Sequence, residues 1–378
     1  MNSALPKPIH DWLRLMVARN ASDLFLTAGF PPAIKLDGKV TPITKQTLTP
    51  TDTENLARAV MPERVRAEFD AHHEANFAIH DLDIGRFRVS AFVQQGRVGV
   101  VFRRINTRIP KLEELHLPPI LKDIALMPRG LVLLVGATGS GKSTTLAAMI
   151  GHRNQNMQEH IITVEDPIEF VHQHGNSIIT QREVGTDTES WEVALKNTLR
   201  QAPDVIMMGE IRDVAAMEYA LSYAETGHLC LSTVHANNAN QTMDRILSFF
   251  PRERRDQVLL DLAMHLKAIV SQRLIPRLDG KGRIPAVEVL LNSPLIADLI
   301  KEGRMFEIKD IMAKSRDLGM QTFDQSLFDL YKAGVISAED ALRNADSFND
   351  LRLKIKLYRE GREDGQPSAA AISHLDII

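Results

Sequence analysis

The chain has 378 residues, which at about 150 residues per domain allows two to three domains. Hydrophobic residues make up 44% and charged residues 25%, and the formal net charge is −3, from 45 Lys+Arg against 48 Asp+Glu. Near-neutrality disfavours a protein that coats nucleic acid, the single cysteine excludes an intramolecular disulfide framework or a multi-cysteine zinc site, and no run approaches the ~18 apolar residues of a membrane helix.

Lys7, Asp11 and Arg14 interrupt residues 1–16, so no secretory signal is read there and a reducing, intracellular compartment is expected. Residues 1–105 read as one α+β unit. A helix over 9–19 precedes strand-like runs at 23–26 and 33–36, with a turn-rich 28–32 between them. Thr49 and Pro50 suit the start of a helix running to 61. Residues 86–93 alternate apolar and polar as a half-buried strand requires, Gly96 marks a turn, and 98–105 reads as the returning strand. Residues 106–129 carry Pro110, Pro118, Pro119 and Pro128 and read as a semi-extended linker.

From 130 onward four strongly apolar runs (131–135, 160–164, 204–208, 229–234) alternate with helical patterns at 190–201, 213–226 and 240–250. That alternation predicts an α/β domain over 130–292 with a largely parallel sheet covered on both faces. Residues 251–273 and 293–360 read as helical and charged, and 361–378 as a disordered tail. No internal repeat is present.

The strongest chemical signal is Gly136-Ala137-Thr138-Gly139-Ser140-Gly141-Lys142-Ser143, followed by Thr144. It satisfies G-x-x-x-x-G-K-[ST] with an apolar strand before it and a helix-forming segment after it. Glycines let backbone N–H groups approach a phosphate closely, and a helix N-terminus favours its charge. Lys142 is expected to neutralise β/γ-phosphate charge and the Ser143 hydroxyl to ligate Mg²⁺. A guanine-reading N-K-x-D is absent, so ATP is the expected nucleotide.

Three further clusters follow the predicted strands, where ligands bind in open α/β sheets. Glu165, Asp166 and Glu169 form an acidic box around Pro167; Glu210 follows the apolar run ending at Met208; His235 ends the run through Val234. Gly209 stands where many P-loop enzymes place a metal-associated aspartate, leaving Glu210 to orient the attacking water and to serve as a second metal candidate. His235 is a candidate γ-phosphate sensor. Each has a plainer reading: Glu165 or Asp166 as a helix cap, Glu210 as a helix N-terminal acid, His235 as an edge histidine. His172 with His174, and His72 with His73, read as surface pairs, and Trp12, Trp191 and Cys230 as packing residues.

The P-loop, the acidic box over 162–172, the segment 203–213 and the histidine box over 227–239 resemble, in order and spacing, the secretion-type hexameric ATPases. Within them the chain resembles the type IV pilus retraction ATPase family (PilT/PilU), through 21–29, 86–92, 181–185 and 318–324. One cysteine cannot build the tetracysteine zinc motif of the extension branch. Where PilT carries Ala-Ile-Arg-Asn-Leu-Ile-Arg-Glu, this chain reads Leu295-Ile296-Ala297-Asp298-Leu299-Ile300-Lys301-Glu302, and it extends through 361–378, both of which point to the PilU side.

The resemblance implies a PAS-like N-terminal domain (1–105), a RecA-like P-loop ATPase domain (130–292) and C-terminal helices (293–360). It implies a homo-hexamer that binds ATP and Mg²⁺ and works with a PilT-like paralogue and an inner-membrane platform protein of the PilC type. Localisation is then cytoplasmic, docked at that membrane. Arginines of the N-terminal domain reach the nucleotide in this family, and Arg88 and Arg103 occupy the matching strands, with Arg86, Arg104, Arg182 and Arg200 as seconds; exposed strand arginines solvating an edge are the alternative. The expected activity is ATP hydrolysis driving or assisting pilus retraction. An accessory ring subunit dependent on a PilT-like ATPase is the alternative, and a RecA-like nucleic-acid motor a distant one, since aromatics are only 5% and no nucleic acid is expected.

Overall fold

The computed structural model describes residues 5–36, 38–81, 83–105 and 108–361. They divide into two units, Met1–Arg108 with Glu169–Val171, and Ile109–Ile168 with His172–Ile378.

The first unit runs α1 (Lys7–Ala18), β1 (Asp23–Thr27), β2 (Ala33–Leu36), β3 (Lys39–Pro42), α2 (Pro50–Val60), α3 (Glu63–His72), β4 (Glu74–Asp81), β5 (Gly85–Gln94) and β6 (Arg97–Ile105). Ile9, Leu13 and Met16 recur at helical spacing on α1 and are fully buried. Thr49 starts α2 through a reciprocal capping box with Asp52. The six strands form one antiparallel sheet in the order β3-β2-β1-β6-β5-β4. Phe87, Val89 and Ala91 alternate inward along β5, as one packed face demands.

The second unit runs α4 (Ile120–Ala125), β7 (Gly130–Val135), α5 (Lys142–Asn156), β8 (His160–Glu165), β9 (Ile178–Glu183), α6 (Trp191–Thr198), β10 (Val205–Met208), α7 (Val214–Glu225), β11 (Leu229–Val234), α8 (Ala239–Phe249), α9 (Arg255–His265), β12 (Leu266–Pro276), β13 (Arg283–Leu291), α10 (Pro294–Lys301), α11 (Met305–Lys314), α12 (Phe323–Lys332), α13 (Ala338–Arg343) and α14 (Phe348–Arg359). Its seven-stranded sheet has the order β13-β12-β7-β11-β10-β8-β9, parallel throughout except for the β12–β13 pair. Leu131, Leu133 and Val135 of β7 enter one core cluster while Val132 and Leu134 enter another, so the strand is apolar along its whole length because both faces are covered. A further cluster joins Phe323, Leu327 and Ile355 of the C-terminal helices to Ile275 and Ala286 of β12 and β13.

The mixed α/β class agrees with the reading of the sequence, and several elements depart from it. Residues 266–273, read as helix, lie in β12, between β7 and β13. A central strand buried on both faces carries no polar alternation, so its pattern merges with that of the preceding α9. The segment read as an extended linker contains α4 and a 3-10 turn over Leu112–Leu115. It is tied down by Arg153 of α5, which is 1% exposed, donates to the carbonyls of Ala125 and Met127, and holds Glu159 through two bonds of 2.6 and 2.7 Å. Strands β3, β4, β9 and β13 and helix α3 have no counterpart in the reading of the sequence. The segment expected to be disordered falls, over 362–378, outside the described residues. No helix of the described residues is long and apolar enough to cross a membrane.

Candidate active site

The loop between β7 and α5 is built for close approach. A Cβ on Gly136 would stand 2.4 Å from Ser140 Oγ and 2.6 Å from Gln272 O, and one on Gly141 would stand 2.7 Å from Gln272 Nε2. Gly141 also has φ +92°, a conformation that favours glycine. Lys142 opens α5 and is 8% exposed; its ammonium donates to Gly136 O (2.8 Å) and Ala137 O (3.0 Å). A buried ammonium needs acceptors, and here the loop's own carbonyls supply them. Ser140 Oγ is buried without a hydrogen bond, whereas Ala137, Thr138 and Gly139 are exposed, and Ser143 and Thr144 are half-buried at the start of the helix. An orphaned hydroxyl, a glycine cradle and a lysine at a 15-residue helix N-terminus fit a bound phosphate group.

Gln272 was not legible as part of this loop. It is 5% exposed on β12 and accepts from Thr145 Oγ1 at 2.8 Å, bracing the first turn of α5. A buried glutamine within an apolar run was its only signal, and the helical reading of that run hid where it points.

The carboxylates sit at the carboxyl ends of neighbouring strands. Glu165 ends β8 at 8% exposure, and its Oε1 accepts from Thr163 Oγ1 (2.7 Å) and Gln181 Nε2 (3.1 Å). Glu210 stands two residues beyond β10 on a backbone pinned from both sides. Gly209 N–H donates to Val164 O (2.8 Å), Thr233 Oγ1 donates to Gly209 O (2.8 Å), and Ile211 N–H donates to Thr233 O (2.9 Å). Glu210 Oε2 lies 3.2 Å from Arg212 Nε, and Oε1 lies 3.4 Å from His235 Nε2. Strand β11, which delivers His235, lies between β7 and β10 in the sheet. Glu210 and His235 are thus brought together, and Arg212 joins them. The Ser143 hydroxyl and these carboxylates are hard oxygen donors of the kind Mg²⁺ takes.

Arg88 and Arg103 belong to the first unit, directly opposed across the β5–β6 ladder. Arg103 Nε stands 2.8 Å from Oδ1 of the buried Asp23, which holds its guanidinium against β1. Of the seconds, Arg104 bonds Asn20 and Arg182 bonds the Asp187 carbonyl. Burial pushes the His172 imidazole down to about 4, and His174 Nδ1 accepts from the Ile179 N–H. His73 ends α3 in a left-handed conformation. In the segment that departs from the PilT pattern, Ala297 is half-buried on α10 while Leu295 and Lys301 are exposed.

The model of the type II/IV secretion system protein family matches residues 77–322. The chain is 60% identical over 352 residues to the type IV pilus ATPase PilU of Pseudomonas aeruginosa, covering 93% of this chain and 92% of that protein. This chain belongs to the PilT/PilU family. It is also 40% identical over 337 residues to the type IV pilus retraction ATPase PilT of the same organism, across 89% of this chain and 98% of that one. A crystal structure of the pilus retraction motor PilT with bound ADP has a TM-score of 0.86 and 41% identity, covering 91% of this chain and 98% of its own.

Proposed function

We propose that this chain is an ATP-hydrolysing motor subunit of a type IV pilus machine, powering or assisting pilus retraction. The observation that carries the reading is the juxtaposition, in one sheet, of a phosphate cradle closed by Lys142 with the Glu210–His235 pair. In this reading a phosphate displaces the carbonyls of Gly136 and Ala137 as partner of Lys142, because an anion is the stronger acceptor for an ammonium. Ser140 Oγ donates its unused hydrogen to the same group. Glu210, held by its pinned backbone, orients the attacking water and accepts its proton, and His235 fixes the carboxylate from the other side. Glu165 assists from β8. Ser143, with Glu210 as second candidate, would hold Mg²⁺, which would supply charge neutralisation at the phosphates. Arg88 and Arg103 of the first unit stabilise γ-phosphate charge.

The finer architecture belongs to the same proposal: a PAS-like first unit, a RecA-like second unit with C-terminal helices, and a cytoplasmic homo-hexamer docked at the inner membrane on a PilC-type platform protein. The test is ATP turnover by the purified chain and its Glu210→Gln variant. Turnover at the wild-type rate with nucleotide still bound removes Glu210 from the role assigned.

The exposed Lys301 and half-buried Ala297 on α10 favour a second reading, an accessory ring that depends on a PilT-like partner ATPase. Retraction in cells that hold an active partner and only the Lys142→Ala form of this chain supports it; loss of retraction there supports an independent motor.

A further inference from the structure

Beginning two positions after His235, three consecutive residues are held by groups that belong neither to the P-loop nor to β10. Arg273 Nη2 donates to Asn237 O (3.2 Å), Asn238 Nδ2 donates to Asp346 Oδ2 (3.2 Å), and the Ala239 N–H donates to Glu288 Oε1 (2.7 Å). Arg273 stands on β12, Glu288 on β13, and Asp346 in the turn between α13 and α14.

Two of the anchors, Arg273 and Asp346, are joined to each other. Arg273 Nη2 lies 2.7 Å from Asp346 Oδ1, its Nη1 donates to Asn344 O, and its guanidinium stacks 3.9 Å from the centre of the Phe323 ring. Lys309 of α11 reaches Asp346 Oδ2 at 3.3 Å, and Ser271 Oγ donates to Glu288 Oε1 at 3.1 Å. Asp324 of α12 accepts from the backbone N–H groups of Asp346 and Ser347, at 2.8 and 3.0 Å. Glu288 is 3% exposed, and the Asp346 side chain 9%. Burying two carboxylates is costly and a packed apolar cluster serves stability as well, so a network of this kind is best explained by the geometry it enforces. The Arg273–Asp346 branch runs from the loop behind His235 to the helices α11 to α14, and the Glu288 branch runs from the start of α8 to Ser271 on β12. Neighbouring residues of β12 face opposite sides, so Gln272 braces the P-loop helix while Arg273 reaches this loop.

We propose that Arg273, Asp346 and Glu288 are positioning residues for ATP turnover: Arg273 and Asp346 fasten the loop behind His235, and with it the His235–Glu210 pair, to the C-terminal helices, while Glu288 fastens the same loop to β13. The arrangement of those helices then sets the rate of hydrolysis and leaves nucleotide affinity to the P-loop and Gln272. This rests on the ATPase reading given above.

A second signature comes from Glu288. Burial raises its carboxyl pKa to about 7, against the hydrogen bonds from Ala239 of α8 and Ser271 of β12 and the charge of Lys309, with Asp346 adding to the rise. The ionised carboxylate is the stronger acceptor for the Ala239 N–H, so wild-type kcat is expected to climb as pH rises through about 7.

The experiment measures kcat, ATP KM and affinity for a fluorescent ADP analogue on the purified full-length chain, its Arg273→Ala variant and its near-isosteric Glu288→Gln variant. Arg273→Ala is expected to lower kcat about tenfold while KM and ADP affinity stay within about twofold. Glu288→Gln is expected to lose the rise in kcat between about pH 6 and about 8. A wild-type pH profile in Glu288→Gln overturns the proposal, as does wild-type kcat in folded Arg273→Ala, or a fall in kcat matched by an equal fall in ADP affinity. Turnover that persists in both Lys142→Ala and Glu210→Gln overturns the ATPase reading itself, a distinct result.

Discussion

His235 Nε2 lies 3.4 Å from Glu210 Oε1, although the two residues follow different strands of the sheet. Strand β11 lies beside β10, and the hydroxyls of Ser232 and Thr233 fix the register by donating to Met208 O (2.9 Å) and Gly209 O (2.8 Å). The pair is therefore a property of the sheet, made where two parallel strands end side by side.

If Glu210 handles the proton of the attacking water, Glu210→Gln keeps the shape of the site and removes the base. Turnover is expected to fall by about 10² or more with ADP affinity retained. Steady-state kinetics beside equilibrium binding measures both.

Ser140 presents a different balance. Its buried hydroxyl has no partner, so Ser140→Ala removes an unsatisfied group and is expected to stabilise the nucleotide-free protein by about 1 kcal/mol. The same change removes a phosphate donor, so ADP affinity is expected to weaken. Thermal unfolding with and without ADP reads the two effects, which should have opposite signs.

Gly141 and Gln272 are coupled through space. Gly141→Ala meets Gln272 Nε2 at 2.7 Å and adopts an unfavourable φ of +92°, a cost of about 1 to 3 kcal/mol. Adding Gln272→Ala removes the collision but not the backbone strain. The double variant is therefore expected to be more stable than the sum of the singles predicts, as a double-mutant cycle in denaturant would show.

Cys230 is fully buried on β11, and burial pushes its thiol pKa well up. Thiolate is the reactive form, so native protein is expected to resist a thiol reagent that labels it stoichiometrically once unfolded. Rapid labelling of the native chain contradicts this packing.

Glu288 carries a pH dependence of stability whose sign follows from its raised pKa. The fold prefers the protonated form, so the contribution is complete below the usual carboxylate pKa of about 4.3 and is lost as pH rises through about 7. Glu288→Gln stays neutral, so its unfolding midpoint is expected to gain on that of the wild type between about pH 5 and about 8.

The P-loop, the acidic box and the strands ahead of Glu165, Glu210 and His235 were legible because their chemistry is local. A glycine-rich turn, an apolar run and a lysine at the next helix start are consecutive in the chain and need no long-range contact to be recognised. The cysteine count and the absence of long apolar runs likewise act through composition alone. What only the tertiary structure decided lies on β12 and in its partners. Its residues continue the pattern of α9, and burial on both faces removes the alternation that distinguishes a strand. Gln272 meets Thr145 across 127 positions, and Arg273 meets Asn344 and Asp346 across 71 and 73. Bonds over such distances depend on strand order and on the packing of the C-terminal helices, and neither is written in any local pattern.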